Sequence, residues 1–397
     1  KNFFVRGYMT TEDAGDSYDM RFAAWNINRL AKDNTSWFTD YATMYLQSQI
    51  FTGATATQAA SLARNWADNN VNPFAGQPGN PLANLVPRGL PRFQPGTPEY
   101  AAALSTVAAD ADFTTGSKFK DNSKIYHSDA NYNFKDLIKF AEFQVGGSYR
   151  RYSLNSDGSI FTDYDGAIEY DEFGAYGQVQ KKFMKDERLK FTGSLRYDKS
   201  ELFDGQFSPR VSFVYSAGAN KNHNFRASFQ TGFRNPTTQD LYIGLNLGPF
   251  ALIGSAPDNL TRYVETLPVS QNGQNTQGQP STVSLSGVEA YNNSYTVESV
   301  TAFGASGNPA DLRIAKVSLV KPEQVKAFEL GYKSVLENGL AVDINGYYNL
   351  YNDFLSTSRV ITPYYGTAGT DSSNTAVQLS YAALANGDRR VYQIYSN

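Results

Sequence analysis

A two-residue alternation of apolar and polar side chains, held over stretches too long for an ordinary soluble strand, constrains this chain more than any other feature. Leu189, Phe191, Gly193, Leu195 and Tyr197 alternate with Lys190, Thr192, Ser194, Arg196 and Asp198. Successive side chains of a strand point to opposite faces, so the pattern makes one face apolar and the other polar. Phe207 to Ser216, His223 to Phe233 and Leu340 to Asn352 repeat it, and Tyr170 to Phe183 and Phe140 to Tyr152 read likewise. These segments run about ten to fourteen residues, whereas soluble strands average about five or six and a tilted strand crossing a bilayer needs about nine to eleven. A soluble β-sandwich also has one polar face per strand, but with shorter strands. The pattern favours an all-β fold, a transmembrane antiparallel β-barrel.

The connectors agree. Short ones, rich in Lys, Asp, Asn and Gly, fall at Lys135 to Lys139, Met184 to Arg188, Ala217 to Asn222 and Leu336 to Gly339. Between them lie roughly Thr10 to Phe119, Ser153 to Glu169, Leu202 to Gly205, Asn235 to Lys321 and Ser356 to Gly387. Short turns at one end and longer loops at the other mark an outer-membrane barrel. This reading gives about ten strands, entering from the periplasmic side at Asn2 with no signal peptide and ending inside another strand, Val391 to Ser396, with more strands expected to follow. Pro209 falls on the lipid side of its strand, where a bulge or a barrel bend is expected.

Composition serves mainly to exclude. A mean hydropathy of -0.45 and the lack of any run of 18 apolar residues rule out helical spans. The 27 Tyr and 26 Phe suit an interface between apolar and wet surroundings. A net charge of -3 gives no footprint for nucleic acid. Zero cysteines exclude disulfides and thiolate chemistry. The only histidines, His127 and His223, lack partners at metal or triad spacing, so neither enzyme activity, cofactor nor metal is expected. Asp163, Asp165, Glu169 and Glu172 partly match a calcium loop, but Phe161 stands at its first ligand position, and a solvated hairpin tip is the better reading.

The first long loop carries helix-like patches at Met20 to Ala31, Trp37 to Gln49 and Thr57 to Asp68. The second, about 235–321, is more polar, and its stretch Gln271 to Thr282 is expected to be mobile.

Several stretches resemble a known family. They are VGGSYRRYSLNSDGSIF (Val145 to Phe161), LKFTGSLRYDKSELFDGQFSPRVSFVYS (Leu189 to Ser216), HNFRASFQTGFRNPTTQDLYIGL (His223 to Leu245), ARNWADNN (Ala63 to Asn70), PGTPEYAAA (Pro95 to Ala103) and KPEQVKAFELGYKS (Lys321 to Ser334). The chain is similar in them to TonB-dependent outer-membrane receptors of the branch with a carboxypeptidase-regulatory-like N-terminal extension. The most specific parts are Arg196 to Lys199, Phe207 to Arg210 and Gly232 to Thr237. The resemblance implies a barrel of about 22 strands around a plug, with a TonB box reaching the periplasm. Residues 1–397 would be a middle part of that wall, without plug or closing strands. It implies uptake of a scarce solute such as an iron chelate, glycan or peptide. The alternative is an outer-membrane scaffold that holds partner proteins. Expected partners are outer-membrane lipid, the plug, TonB and a surface lipoprotein or other envelope protein.

Arg150, Arg196, Arg210 and Arg226 fall on polar strand faces and would line the lumen, where a charge ladder with Asp198, Glu142 and Asp343 is the better reading and bonding to the plug or steering of an anionic solute the alternative. Ligand-binding candidates are Trp37, Tyr41 and Trp66 in the first loop and Arg234, Asp240 and Tyr242 at the mouth of the second. For the tryptophans Trp25, Trp37 and Trp66, helical spacing favours packing over stacking on a ligand.

Overall fold

The computed structural model describes residues 2–336 and 339–397, and the chain forms two compact units, Lys1–Asp13 with Asp121–Asn397, and Ala14–Lys120. Of the turn expected at Leu336 to Gly339, Glu337 and Asn338 lie outside the described residues.

The first unit is mostly β. Its strands are β1 (Phe3–Thr11), β2 (Lys124–Asn133), β3 (Glu142–Leu154), β4 (Ile168–Phe183), β5 (Leu189–Ser200), β6 (Gln206–Ala217), β7 (His223–Arg234), β8 (Gly244–Asn246), β9 (Ala251–Ile253), β10 (Val264–Pro268), β11 (Thr282–Ser286), β12 (Tyr295–Thr296), β13 (Glu323–Val335), β14 (Ala341–Asn352), β15 (Ser356–Pro363) and β16 (Arg389–Ser396). Nine of them make one open sheet, in the order β1-β2-β3-β4-β5-β6-β7-β13-β14. Every neighbouring pair is antiparallel.

Register sorts the faces. Phe213 sits opposite Ala227, Phe229 opposite Phe328 and Phe328 opposite Tyr348, while Ser194 meets Arg210 and Asp198 meets Gln206. Aromatic rings meet across strands, Tyr197 with Phe207 at 4.9 Å and Phe229 with Phe328 at 4.8 Å between centroids. Such pairs contribute roughly 0.5–1.5 kcal/mol beyond burial. Yet this apolar face is uncovered by protein: Phe207 is 64%, Leu330 69% and Tyr348 62% exposed. A soluble protein rarely leaves so large an apolar surface open.

Two expectations change here. The register to β5 runs unbroken through Pro209, opposite Leu195, and the ladder to β7 begins one residue later at Arg210, so the proline sits beside the end of a ladder rather than in a bulge. The segment expected as a tenth wall strand, Val391 to Ser396, is part of β16, in a separate five-stranded sheet of order β12-β15-β16-β9-β8 in which β16 and β9 run parallel. Its alternation is real, with Tyr392 and Ile394 buried, but it packs against Ile253, Tyr291 and Val360 inside a protein core. Its eight residues also fall short of a membrane crossing.

The segment expected to be mobile contains a helix, Gln271–Gln277, capped by Ser270. The Asp388 carboxylate ties that cap down, accepting from the Ser270 N–H at 2.7 Å and Oγ at 2.9 Å and from Tyr365 Oη at 2.9 Å.

The second unit is helical, with α1 (Met20–Ala31), α2 (Asn34–Thr52), α3 (Ala56–Asn69) and α4 (Pro98–Ala109). Asp19, Asp33, Thr55 and Thr97 cap their N-termini, satisfying N–H groups that the helices leave unpaired. Sequence patterning had not indicated α4. One core gathers Met44, Ala63 and Trp66, another Ala23, Ile27, Ala103 and Val107. Buried Asp40 accepts from Lys32 Nζ at 2.9 Å and from Arg88 Nη1 at 2.8 Å. The Lys32 and Asp40 side chains are 3% and 1% exposed, so this pair is wholly desolvated.

Candidate functional site

The polar face of the nine-stranded sheet holds a cleft of about 490 Å³ between β2–β5 and the turn after β7. Strand parity builds it. His127, Arg150, Glu172, Arg196 and Asp198 all fall on the polar face, and register aligns His127 with Arg150 and Arg150 with Glu172. The chain leaving β7 then brings Asn235 to Thr238 over this row.

Charges in the cleft alternate in sign. Arg150 Nη1 donates to Tyr152 Oη at 3.0 Å and to Glu172 Oε2 at 3.5 Å, and the other Glu172 oxygen accepts from Asn235 Nδ2 at 2.8 Å. Arg196 Nε donates to both Asp198 oxygens at 2.8 and 2.7 Å, and its Nη2 reaches Ser148 Oγ at 3.3 Å. Tyr152 and Tyr170 stack at 4.6 Å beside them. Arg150 and Arg196 stay about two-fifths exposed, so both keep donors for a further acceptor. The arrangement suits a polar solute with both donors and acceptors.

Each candidate from the sequence has a definite place. Arg150 and Arg196 line the cleft. Arg226 pairs instead with Glu329 at 3.4 Å and Asp343 at 3.7 Å. Arg210 is exposed on the same face. The ladder expected from Glu142 takes another form, because Glu142 accepts from Asn133 Nδ2 at 2.7 Å. Arg234 is held by Glu323 at 2.8 Å. Asp240 completes a capping box with Thr237, and its carboxylate accepts from the Thr237 N–H at 2.7 Å. Tyr242 is buried against Tyr170 and cannot meet a solute as placed. Burial, and then the nearby Asp258 carboxylate, push its phenol above the ordinary tyrosine value.

In the helical unit Trp66 is 2% exposed and packs in the core. Trp37, Tyr41 and Tyr45 stack along α2 at 5.3 and 6.1 Å, and Trp37 Nε1 donates to Asp68 at 2.8 Å. Asp68 also accepts from Arg64 at 2.6 Å and Arg92 at 3.2 Å. Burial works to raise its pKa, but these hydrogen bonds and charges outweigh it and hold the carboxyl below the ordinary range. Of the acidic hairpin residues, Asp163 is turned inward, its carboxylate taken by Ser156 Oγ at 2.7 Å and the Gly158 N–H at 3.0 Å.

The residues that sequence reasoning missed are Glu172, Tyr152 and Asn235. The signal for Glu172 was register, which sets it opposite Arg150, and for Tyr152 its same-face spacing two residues from Arg150; Asn235 enters only through the turn after β7.

A family model described as TonB dependent receptor-like, beta-barrel matches residues 2–392. Among solved structures the chain is similar to the siderophore receptor PirA from Pseudomonas aeruginosa, at 12% identity over 70% of this chain and 38% of that one, with a TM-score of 0.36. It is similar to a mutant of the ferric enterobactin receptor from Pseudomonas aeruginosa, at 14% identity over 70% and 31%, with a TM-score of 0.39. It is similar also to the siderophore receptor PirA from Acinetobacter baumannii, at 12% identity over 70% and 32%, with a TM-score of 0.36. The chain thus spans about a third of the length of these receptors. No curated protein sequence matches it significantly.

Proposed function

Because the chain belongs to the TonB dependent receptor-like β-barrel family of the outer membrane, we propose that its nine-stranded sheet is an arc of a closed wall of about 22 strands, and that the cleft on its polar face lies on the path of an imported solute. The observation that carries this reading is the orientation of the sheet. Its apolar side is open, with Phe207, Leu330 and Tyr348 uncovered, while the polar side carries the row Arg150, Glu172, Arg196 and Asp198. Lipid satisfies the first and a water-filled lumen the second. Energy coupling would come from a plug and TonB, as the family implies.

Alternating charge and the stacked Tyr152–Tyr170 pair favour a polar solute of near-neutral charge, such as a glycan or a zwitterionic peptide, over a strongly anionic one. Each charged hydrogen bond lost is worth roughly 1.5–3 kcal/mol. Arg150→Ala combined with Arg196→Ala in the complete natural chain is therefore expected to weaken solute binding at least about tenfold. Isothermal titration against a panel of oligosaccharides, oligopeptides and ferric chelates measures it. A solute bound equally well by wild type and double variant would remove the cleft from the path.

A further inference from the structure

Lys181 stands on the wrong face of the sheet for a charge. Its parity on β4 is that of Val179 and Phe183, and register sets it opposite Phe191 of β5. Its ammonium lies 5.3 Å from the ring centroids of both Phe140 and Phe183. Three neighbouring cations at this end of the sheet are satisfied by oxygen. Lys182, on the polar face, reaches Glu187 at 2.6 Å, Arg188 donates to the Ser216 and Gly218 carbonyls, and Lys221 donates to the Asp186 carbonyl. The Lys181 side chain has no hydrogen bond or ion pair among the described residues. Two ring faces attract its charge but offer no strong acceptor for its three N–H donors.

The place explains what such a group is for. Lys181 is two residues from the end of β4, next to the short turn Lys185–Glu187, and this end carries further uncovered apolar groups in Leu137, Phe140 and Met184. A lysine at the edge of a lipid-facing surface lays its stem along the apolar part and extends its head to the polar layer. The rings hold the ammonium at that boundary, where the acceptors available in bulk are phosphodiester oxygens.

Resting on the barrel reading above, we propose that Lys181, held between Phe140 and Phe183, binds the phosphodiester of a membrane phospholipid at the rim formed by the short turns, with an acyl chain lying across the two rings. The phosphate accepts the three donors, and the ring faces receive hydrocarbon.

The test uses the complete natural chain in mild detergent and native mass spectrometry with added dioleoyl phosphatidylglycerol. Lys181→Gln is expected to lower lipid occupancy about fivefold, Lys181→Arg to keep most of it, and Lys182→Gln, on the opposite face, to leave it unchanged. Equal occupancy in wild type and Lys181→Gln would overturn the proposal. So would millimolar inorganic phosphate binding at Lys181 in place of the lipid, since the acyl chain would then contribute nothing. Heat-modifiable gel migration, run alongside, reports the closed barrel by itself. Its loss in the wild type would count against the wall, whereas a folded barrel without the lipid counts against this site alone.

Discussion

In the helical unit Trp66 and Met44 close on Ala63 and leave no surface, while in the nine-stranded sheet Phe207, Leu330 and Tyr348 stand open along one face. Charge is arranged in the opposite sense. The helical unit buries Asp40 with Lys32, whereas the sheet keeps Arg150, Arg196 and Arg226 partly exposed on its polar side. One chain therefore follows two solvent rules. The helical cores around Met44 and Ile27 hide apolar groups from water, although Phe38, Leu46, Ile50 and Phe51 of α2 stay exposed. The sheet hides nothing apolar from its outer neighbour, which is the arrangement for lipid.

The contrast is broken most strongly at Asp40. Asp40→Ala leaves Lys32 buried without its counter-ion and is expected to destabilise the helical unit by about 3–5 kcal/mol, with the barrel's heat-modifiable migration unchanged. Denaturant titration of the helical circular dichroism signal measures it, and a loss below about 1 kcal/mol would mean water already reaches the pair. Next comes the sheet's outer face. Leu330→Arg should cost about 2–4 kcal/mol if that face meets the middle of a bilayer, read by urea unfolding from lipid vesicles. A tolerated arginine there would put the face in water.

A smaller effect is expected at Asp68, where Asp68→Asn should remove roughly 1–3 kcal/mol through weakened bonds to Arg64, Arg92 and Trp37. The same carboxylate sets a pH dependence. Its pKa is lowered on folding, so its contribution is complete above the ordinary carboxylate pKa and disappears as pH falls through the depressed value. Acid titration of helical signal should therefore show wild type losing an increment that Asp68→Asn lacks, and parallel curves would refute it. Least of all should change with Phe38→Ser, because Phe38 is 63% exposed on α2. A shift within about 0.5 kcal/mol in the same titration is expected, and a larger one would place a partner on that surface.

The sheet was legible because its signal is local. Alternation from Leu189 to Asp198 needs no knowledge of a partner, and the short turns mark where strands reverse. The strands within the loops were not legible, since β8, β9 and β12 are only two or three residues long and owe their conformation to distant partners. β16 shows the opposite error: a correct period assigned to the wrong sheet. α4 was missed although Thr97, Pro98 and Glu99 form a recognisable helix start, because its mostly alanine faces lack a clear apolar stripe. At the cleft, Arg150 and Arg196 could be read as polar-face residues. Glu172 instead looked like part of an acidic hairpin tip, and Asn235 looked like the start of a loop. Only the pairing of β3 with β4, and the turn after β7, bring them to Arg150.

The strand order has an evolutionary consequence. β1 lies beside β2 although the whole helical unit is spelled out between Thr11 and Lys124, and β7 lies beside β13 although β8 to β12 intervene, three of them in a sheet completed by β15 and β16. Each insertion leaves and returns at one end of adjacent strands, so lengthening it requires no rethreading of the sheet. The helical unit between β1 and β2 can be lengthened or exchanged while every hydrogen bond of the nine-stranded sheet keeps its partner.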